Sequence, residues 1–469
     1  MLACLFIGTL LSGCASRPVN DPISTVDPTS GYRPQLMIKD RPNNDPETFF
    51  VLSFSGGGTR AAAFSYGVLE ELNRYELTVG GKPRKLIDEV DVITGVSGGS
   101  FTALSYALYG EKLFEEYEER FLKRNVQGAL AGRLFNPVNW FKMMSGSYGR
   151  SEMAAEYYDE ILFNDATFND LLSLGGPPAV ATGTALSTGA RLAFYQNDFD
   201  LLCSDLGTMK LSRAAATSSA VPVALSPVTL DNYGGNCDYQ YPSWVKDAVE
   251  APEGTNPSAR ALARYREMQV FQDSRNHPYI HMVDGGVADN LGVRGVLEAL
   301  EELSFSGSFR KQSGYGGIKR VVLIVVNAES NEPNDWDLKK SPPNSMWQTL
   351  QSSGVPIARY TFETVELMKD IVEEAEWQRQ LDIAEARLAG ASREEAEARY
   401  PKTEMLVFDV SFSAIPDPEE RLYFQSLPTS FVLEDEEVDR LREIAAVLLR
   451  QSPIYTEVLE EIGAELISE

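Results

Sequence analysis

The sequence predicts an α/β protein in which helices cover a mainly parallel sheet. The chain has 469 residues, of which 43% are hydrophobic, so it can bury at least one large core. Two successive segments, residues 49–75 and 90–109, each pass from a short apolar run through a glycine-rich turn into residues at helical spacing. Successive βα units place their strands parallel in one sheet, which gives the fold class.

The two βα units set the expected order of elements. Residues 49–54 form a short apolar strand that meets glycines at once, and residues 61–75 carry apolar side chains at helical spacing. Residues 90–94 are short and β-branched, residues 95–100 form a turn, and residues 101–109 continue as an apolar helix.

Five later segments are short, rich in β-forming residues and bounded by turn residues, so we expect each to be a strand. They are residues 178–186, 191–195, 278–283, 319–326 and 405–412. Residues 111–175 are expected to be mainly helical, with a patch of Trp140, Phe141, Met143 and Met144 that we interpret as core rather than lipid contact. The C-terminal region, residues 357–469, is expected to be helical, with charged and solvated faces.

The N-terminal residues carry a targeting pattern. An apolar run over residues 1–13 is too short to span a bilayer and ends in Leu11-Ser12-Gly13-Cys14, which resembles the bacterial lipoprotein signal. The resemblance implies a leader over residues 1–14 and lipidation of Cys14, hence membrane attachment in the bacterial cell envelope, at the periplasmic face or the outer membrane. Residues 15–48 are rich in Pro, Asn, Asp and Ser and are expected to be a flexible tether, so that one domain spans residues 49–469.

Charge and cysteine content exclude some classes of protein. The formal net charge of -26 repels nucleic-acid phosphates, so a nucleic-acid partner is not expected. Outside the leader, only Cys203 and Cys237 remain, and a disulfide or two separate buried thiols fit them equally well. Their spacing has no metal-site pattern, and the sequence does not determine the oligomeric state.

A candidate nucleophile lies in the second βα turn. Gly95-Val96-Ser97-Gly98-Gly99 fits the G-x-S-x-G elbow, in which glycines let the chain turn sharply and expose the serine hydroxyl. The motif stands between a β-branched strand and an apolar helix, so the helix amides point toward Ser97. A tight βα turn without chemistry is the alternative reading of this motif taken alone.

A serine nucleophile needs a proton acceptor, and the chain contains only His277 and His281 as histidines. If residues 279–283 form a strand, His281 and Asp284 face opposite sides of it, which makes His281 a poor relay. Asp284 closes that strand at its C-terminal end, where α/β sheets expose functional groups, although Asp-Gly is also an ordinary turn. An Asp base is weak because its reference pKa is about 3.9, so burial or hydrogen bonding must assist it.

The first βα turn offers an anion site. Gly56, Gly57 and Gly58 present bare backbone amides at a helix N-terminus, where they can bind an oxyanion or phosphate, and Arg60 can add a cation.

A dinucleotide loop is the competing reading of the same turn, because Gly56, Gly58 and Ala61 satisfy G-x-G-x-x-A. That fingerprint requires its acidic residue after the second strand, whereas Asp88 and Asp91 precede or begin that strand.

Four motifs, taken together and in this order, resemble the patatin-like phospholipase family. They are SGGGTR at residues 55–60, GVSGG at 95–99, RAAATSSAVP at 213–222 and DGGVADN at 284–290. The likeness covers roughly residues 49–330 and implies a three-layer α/β/α sandwich with a mainly parallel central sheet. It also implies a dyad without histidine, with Ser97 as nucleophile, Asp284 as base and the amides of Gly56, Gly57 and Gly58 as oxyanion donors.

The resemblance implies a serine acyl-ester hydrolase of the phospholipase or lysophospholipase type, which acts on a lipid or ester through an acyl-enzyme and needs no metal or cofactor. Two alternatives remain open at this point: an acyltransferase on lipids and a lipid-binding lipoprotein without turnover. Residues 232–276 are longer than the family resemblance leads us to expect, and they are a candidate lid.

Overall fold

A mixed eight-stranded sheet forms the centre of the protein. The computed structural model describes residues 17–39, 41, 44–144, 148–250, 259–298, 317–331 and 336–467. The described strands are β1 (Thr48–Phe54), β2 (Tyr75–Val79), β3 (Lys82–Lys85), β4 (Val92–Gly95), β5 (Ala179–Ala185), β6 (Arg191–Ala193), β7 (Val228–Asp231), β8 (Tyr279–Asp284), β9 (Arg320–Asn327), β10 (Glu404–Ser411) and β11 (Glu465–Leu466). The predicted strands are therefore present, each with its ends within two residues of the expectation.

The strand order is β10-β9-β1-β4-β5-β8-β7, and β6 also pairs with β5. From β10 to β5 every neighbouring pair is parallel, which confirms the predicted α/β class with a mainly parallel sheet. Beyond β5 the pairing becomes antiparallel, since both β6 and β8 run against β5. Only residues 186–190 join β5 to β6, and a parallel return needs a crossover of a dozen or more residues.

Helices cover the sheet. The described α-helices are α1 (Pro34–Lys39), α2 (Gly58–Leu72), α3 (Gly98–Tyr109), α4 (Leu113–Tyr117), α5 (Val126–Leu134), α6 (Pro137–Met143), α7 (Arg150–Tyr158), α8 (Phe168–Leu174), α9 (Gln196–Leu201), α10 (Leu211–Ser218), α11 (Ser243–Val249), α12 (Ala259–Gln272), α13 (Gly286–Asp289), α14 (Ser345–Leu388), α15 (Arg393–Arg399), α16 (Pro418–Ser426), α17 (Asp435–Gln451) and α18 (Pro453–Ile462). Short 3₁₀ segments occur at Leu86–Glu89, Gly110–Lys112, Trp336–Leu338 and Phe412–Ala414, and π-helical turns at Glu118–Leu122 and Asp159–Phe163.

The central strands are buried on both faces, so they read as near-continuous apolar runs. In β9, Val322 and Ile324 belong to the larger core, which α2, α3 and α17 help to build. Their neighbours Val321 and Leu323 point the other way, into a second core that α14 closes with Met368. Because alternate side chains of one strand feed two cores, the molecule has the expected three layers.

The C-terminal region contains five helices among the described residues, α14 to α18. The first begins at Ser345, before the expected start at residue 357; strand β10 interrupts the helical series, and β11 follows the last helix. Helix α17 packs against α2, the helix that follows the first glycine turn.

The expectation of a flexible tether is wrong for residues 17–39, which pack against the domain. Tyr32 is only 1% exposed, and its hydroxyl accepts from the backbone amide of Ala179 and donates to the carbonyl of the same residue. Arg33 forms a buried ion pair with Asp200 at 2.8 Å. Single anchoring side chains and backbone hydrogen bonds, such as the one from the Ile23 amide to the Cys203 carbonyl at 2.8 Å, hold this segment in place without a hydrophobic period. The expected leader and Cys14 lie outside the described residues.

The aromatic and methionine patch is also not core. Trp140, Phe141 and Met144 are 52%, 76% and 80% exposed, and α6 buries none of its side chains. The interpretation as core is therefore wrong, because α6 packs only lightly on the body and directs these side chains to solvent. Within the part of the chain that the structure describes, no helix is long and apolar enough to cross a membrane.

Cys203 and Cys237 form a disulfide, which decides between the two alternatives that the sequence left open. The bond attaches the first half of residues 232–276 to the end of α9. In the second half, Arg264 of α12 pairs with buried Asp198 at 2.8 Å. The described parts of this segment are thus fixed to the domain, and its role as a lid stays a prediction.

Candidate active site

Ser97 stands on a strained turn between β4 and α3. Its backbone angles, φ 47° and ψ -119°, lie where residues other than glycine are rarely found. A side chain at Gly98 would place its Cβ 2.0 Å from the carbonyl oxygen of Gly58, so the two glycine turns pack backbone to backbone. The Ser97 amide donates to Ser218 Oγ at 2.9 Å, and Ser100 Oγ donates to the Ser97 carbonyl at 2.6 Å. The elbow is therefore held rigidly from both sides.

Asp284 lies at the end of β8, and the Ser97 side chain is near enough to its carboxylate to lower the pKa of Asp284. The backbone amide of Gly286 donates to Asp284 Oδ1 at 2.8 Å. Burial raises the pKa of Asp284 to about 6, and the hydrogen bond from Gly286 and the Ser97 side chain oppose that rise. The carboxylate is thus a stronger base than an exposed aspartate and is still ionised at neutral pH.

The register of β5 brings these two side chains together. On one side of β5, Gly95 at the end of β4 pairs with Ala181. On the other side, Asp284 pairs with Gly183. The sequence placed Asp284 at the C-terminal end of a strand among parallel strands, but β8 runs antiparallel to β5. Asp284 still reaches the level of Ser97 because β8 overlaps only the last part of β5.

The glycine loop lies beside Ser97, as expected, but its three amides are not equivalent. A Cβ at Gly56 would lie 3.4 Å from Ser97 Cβ, yet the Gly56 amide donates to the Asn290 carbonyl at 2.9 Å. The amides of Gly57 and Gly58 donate to no acceptor among the described residues, and α2 begins at Gly58. Of the three expected oxyanion donors, only Gly57 and Gly58 therefore have amides available among the described residues, and their role in binding an oxyanion stays a prediction.

Arg60 does not face the site as an anion contact. It is 2% exposed and donates through Nε to the Ala328 carbonyl at 3.1 Å, through Nη1 to the Leu427 carbonyl and through Nη2 to Thr429 Oγ1 at 3.0 Å. A buried guanidinium bonded to three protein oxygens supports the loop from behind. The expected role of Arg60 in binding an anion is therefore wrong.

The other sequence candidates lie elsewhere. His281 is exposed, and its Nδ1 is 3.0 Å from Thr229 Oγ1, so the two faces predicted for His281 and Asp284 are correct. Asp91 is buried and accepts a hydrogen bond from the Phe50 amide at 2.8 Å, which ties β4 to β1 rather than leaving a carboxylate for a ribose. The dinucleotide reading is thus not supported.

The site also uses three residues that the sequence analysis did not single out. Ser218 and Asn290 lie inside the third and fourth motifs, so the resemblance contained the signal. Ser430 comes from the C-terminal region, and its carbonyl accepts from the Thr59 amide at 2.8 Å next to the glycine loop. No motif marks Ser430, because only its backbone is used.

An α/β sheet that presents a serine on a strained strand-to-helix turn, beside a buried carboxylate and unpaired amides, has the architecture of an acyl hydrolase. The family model described as patatin-like phospholipase matches residues 52–297, more than half of the chain. The chain therefore belongs to the patatin-like phospholipase family, and it is a lipid acyl hydrolase.

This chain is similar to a curated relative and to two solved structures. The chain is 31% identical over 297 residues to the cGAMP-activated phospholipase of Vibrio cholerae serotype O1, which covers 59% of this chain and 73% of the relative. Human GIVD cytosolic phospholipase A2 aligns with a TM-score of 0.44 at 12% identity, over 97% of this chain and 68% of that one. VipD of Legionella pneumophila aligns with a TM-score of 0.26 at 11% identity, over 93% of this chain and 72% of that one.

Proposed function

We propose that this protein is a serine phospholipase or lysophospholipase that uses Ser97 as nucleophile and Asp284 as base, through an acyl-enzyme. The observation that carries the proposal is that Ser97, on its strained turn, and the buried Asp284 carboxylate meet across β5, where the Ser97 side chain lowers the pKa of Asp284. Family membership supports a lipid ester as the substrate class.

In the first half-reaction, Asp284 accepts the Ser97 proton while Oγ attacks the ester carbonyl. The amides of Gly57 and Gly58 bind the oxyanion, and each is worth about 3 kcal/mol by analogy with other acyl-transfer sites. Collapse of the tetrahedral intermediate breaks the ester bond, and the leaving alcohol takes the proton from Asp284.

In the second half-reaction, water attacks the acyl-enzyme. Asp284 accepts a proton from that water. As the bond between the acyl group and Ser97 Oγ breaks, Asp284 returns this proton to Oγ and the fatty acid is released. The raised pKa of Asp284 favours both transfers, since a carboxylate with a pKa of about 6 holds a proton better than an ordinary aspartate.

Fluorophosphonate labelling of the purified protein tests the nucleophile. We expect labelling of the wild type, none of Ser97→Ala, and normal labelling of Ser173→Ala, which makes the same change at an exposed serine on α8. The labelling rate should rise with pH and reach half its plateau near pH 6, because only the ionised Asp284 accepts the proton. Labelling of Ser97→Ala at the wild-type rate would disprove the assignment.

Product analysis separates hydrolysis from acyl transfer. With a phospholipid carrying one labelled acyl chain, we expect the label in free fatty acid even when a lysolipid acceptor is in excess. Label that moves mainly into the acceptor would make the protein an acyltransferase with the same acyl-enzyme.

We also propose that the protein is anchored in the bacterial cell envelope by a lipid on Cys14. The lipoprotein-like Leu11-Ser12-Gly13-Cys14 pattern supports this. Arg17, shortly after it, pairs with Asp231 at 2.6 Å, so an anchor on Cys14 would hold the domain close to the membrane. Metabolic labelling with an alkyne fatty acid should mark the wild type but not Cys14→Ser, and equal labelling of both would contradict the proposal.

A further inference from the structure

The structure presents an exposed apolar surface whose position and charge fit a lipid bilayer. We name it the apolar ridge and define it by the side chains that α5 and α6 and their ends turn to solvent, which are Phe135, Val138, Trp140, Phe141 and Met144. We propose that the apolar ridge inserts into the surface of a phospholipid bilayer and so positions the active site on it, an inference that rests on the proposed lipase function.

The apolar ridge concentrates exposed apolar side chains in a short stretch of chain. Its members are 73%, 62%, 52%, 76% and 80% exposed in chain order, and all lie within residues 135–144. Single exposed apolar side chains are normal on a soluble protein, but a contiguous group marks an interaction surface. The Trp140 indole N–H donates to the Leu134 carbonyl at 2.6 Å, which satisfies its polar atom and leaves the ring for an apolar environment.

Charge favours a phospholipid as the occupant. The whole chain carries 68 Asp and Glu residues, yet residues 120–151 contain none. The same stretch contains the basic residues Arg120, Lys123, Arg124, Arg133, Lys142 and Arg150. Four of them pair with acidic side chains from outside this stretch: Lys142 with Glu156 at 2.9 Å, Arg133 with Glu160, Arg120 with Glu116, and Lys123 with Glu118 and Asp439. The surroundings of the apolar ridge are thus close to neutral on a strongly acidic protein, and lipid phosphates meet little repulsion there.

The apolar ridge lies between Gln127 and Ser151, and we call this stretch the ridge segment. The start of the ridge segment is attached to the glycine-loop side of the active site. The Gln127 amide donates to the Phe431 carbonyl at 3.1 Å, and the Phe431 amide donates to Gln127 Oε1 at 3.3 Å. The preceding residue, Ser430, accepts from the Thr59 amide, next to the oxyanion donors.

The end of the segment is attached to the opposite side of the active site. The Ser151 amide donates to Ser226 Oγ at 3.1 Å, and Ser151 Oγ donates to the Ser226 carbonyl. The same loop begins at Ala220, whose carbonyl accepts from the Asp284 amide at 3.0 Å. The apolar ridge therefore sits on a bridge between the two loops that flank Ser97 and Asp284, where a bilayer bound to it would lie next to the site.

Arg17, three residues after the proposed lipid site, is connected to the end of the ridge segment. Arg17 and Arg213 both donate to the Thr229 carbonyl, and Arg213 pairs with Glu152 in the first turn of α7. A lipid on Cys14 and the apolar ridge can thus contact one membrane surface together. The connection of the ridge segment to the chain just after Cys14 is why we commit to the bilayer rather than to a second copy of this chain.

Fluorescence quenching by brominated phosphatidylcholine vesicles tests insertion directly. Subtracting the quenching of Trp140→Phe from that of the full-length wild type isolates the signal of Trp140, whether or not a leader or anchor already holds the chain on the vesicle. We expect Trp140 to be clearly quenched in the wild type. In the double variant Phe141→Asp with Met144→Asp, the same subtraction should show no quenching of Trp140. The control is Trp377→Ser with Leu381→Ser, which removes two side chains of 71% and 58% exposure from α14, and it should keep the Trp140 signal.

Two activities separate docking from chemistry. On vesicles, the double variant should hydrolyse phospholipid more slowly by on the order of tenfold or more, while its rate on a soluble short-chain ester stays within about twofold of the wild type. Equal losses on both substrates, or absence of Trp140 quenching in the wild type, would overturn the inference. So would a dimer in sedimentation that the double variant abolishes, because the ridge would then bind a second copy. If neither substrate is cleaved, the proposed function fails, while the quenching still reports on docking.

Discussion

Replacing Asp284 with Asn is expected to stabilise the protein at neutral pH while it removes ester hydrolysis. The carboxylate is 7% exposed and has no basic side chain among the groups that shift its pKa, so its negative charge is costly in the fold. Asn keeps nearly the same shape and still offers an oxygen to the Gly286 amide. The variant therefore removes the charge and little else.

The magnitude follows from the pKa of Asp284, which rises from 3.8 to about 6 on folding. Between these values the folded chain holds more protons than the unfolded chain, so the free energy of unfolding falls as the pH rises. A difference of about 2 units corresponds to about 3 kcal/mol, and this cost is fully present above pH 6. Asn has no such cost at any pH.

Urea unfolding of the wild type and Asp284→Asn, measured from pH 4 to pH 8, checks this reasoning. The two proteins should be similar near pH 4, and the variant should be more stable by about 3 kcal/mol at pH 8, with most of the change between pH 4 and 6. Asp370→Asn, an exposed substitution on α14, should follow the wild type. Ester hydrolysis by Asp284→Asn should fall by on the order of a hundredfold or more. A variant that is less stable than the wild type at pH 8 would refute the argument that burial sets this pKa.

Two further predictions concern the glycine loop and the disulfide. Gly58→Ala should lose most esterase activity and about 2 kcal/mol of stability, because φ is +61° and the new Cβ would lie 2.3 Å from the Ser430 carbonyl oxygen. The control Gly132→Ala on α5 has open space around the new Cβ, so it should keep both its activity in an esterase assay and its stability in a thermal melt. Cys237→Ser should lower the free energy of unfolding, measured in urea, by about 3 to 4 kcal/mol, as expected for a disulfide that spans 34 residues. A loss below about 1 kcal/mol would show that neighbouring contacts already hold residues 232–250.

Local patterns in the sequence were sufficient for the elements that carry the site. Strands β1, β5 and β9 are short, apolar and bounded by turn residues, so their positions could be predicted closely. The short strand β7 was not predicted, because four residues with two half-buried positions carry too little pattern. The flexible tether was a wrong prediction for a related reason: Tyr32 and Arg33 bind through single side chains, which periodicity does not detect.

The sequence by itself determined the α/β class, the serine turn at Ser97, the glycine loop and the exclusion of His281, because each depends on local spacing and on residue type. Only the tertiary structure decided that Gly56 donates to Asn290, that Arg60 is buried against backbone carbonyls, and that α6 is exposed. It also decided that an antiparallel strand delivers Asp284 to Ser97, through the register of β5. The physical reason is the same in each case: which hydrogen-bonding groups are already occupied, and which side chains are buried, depends on segments far apart in the chain.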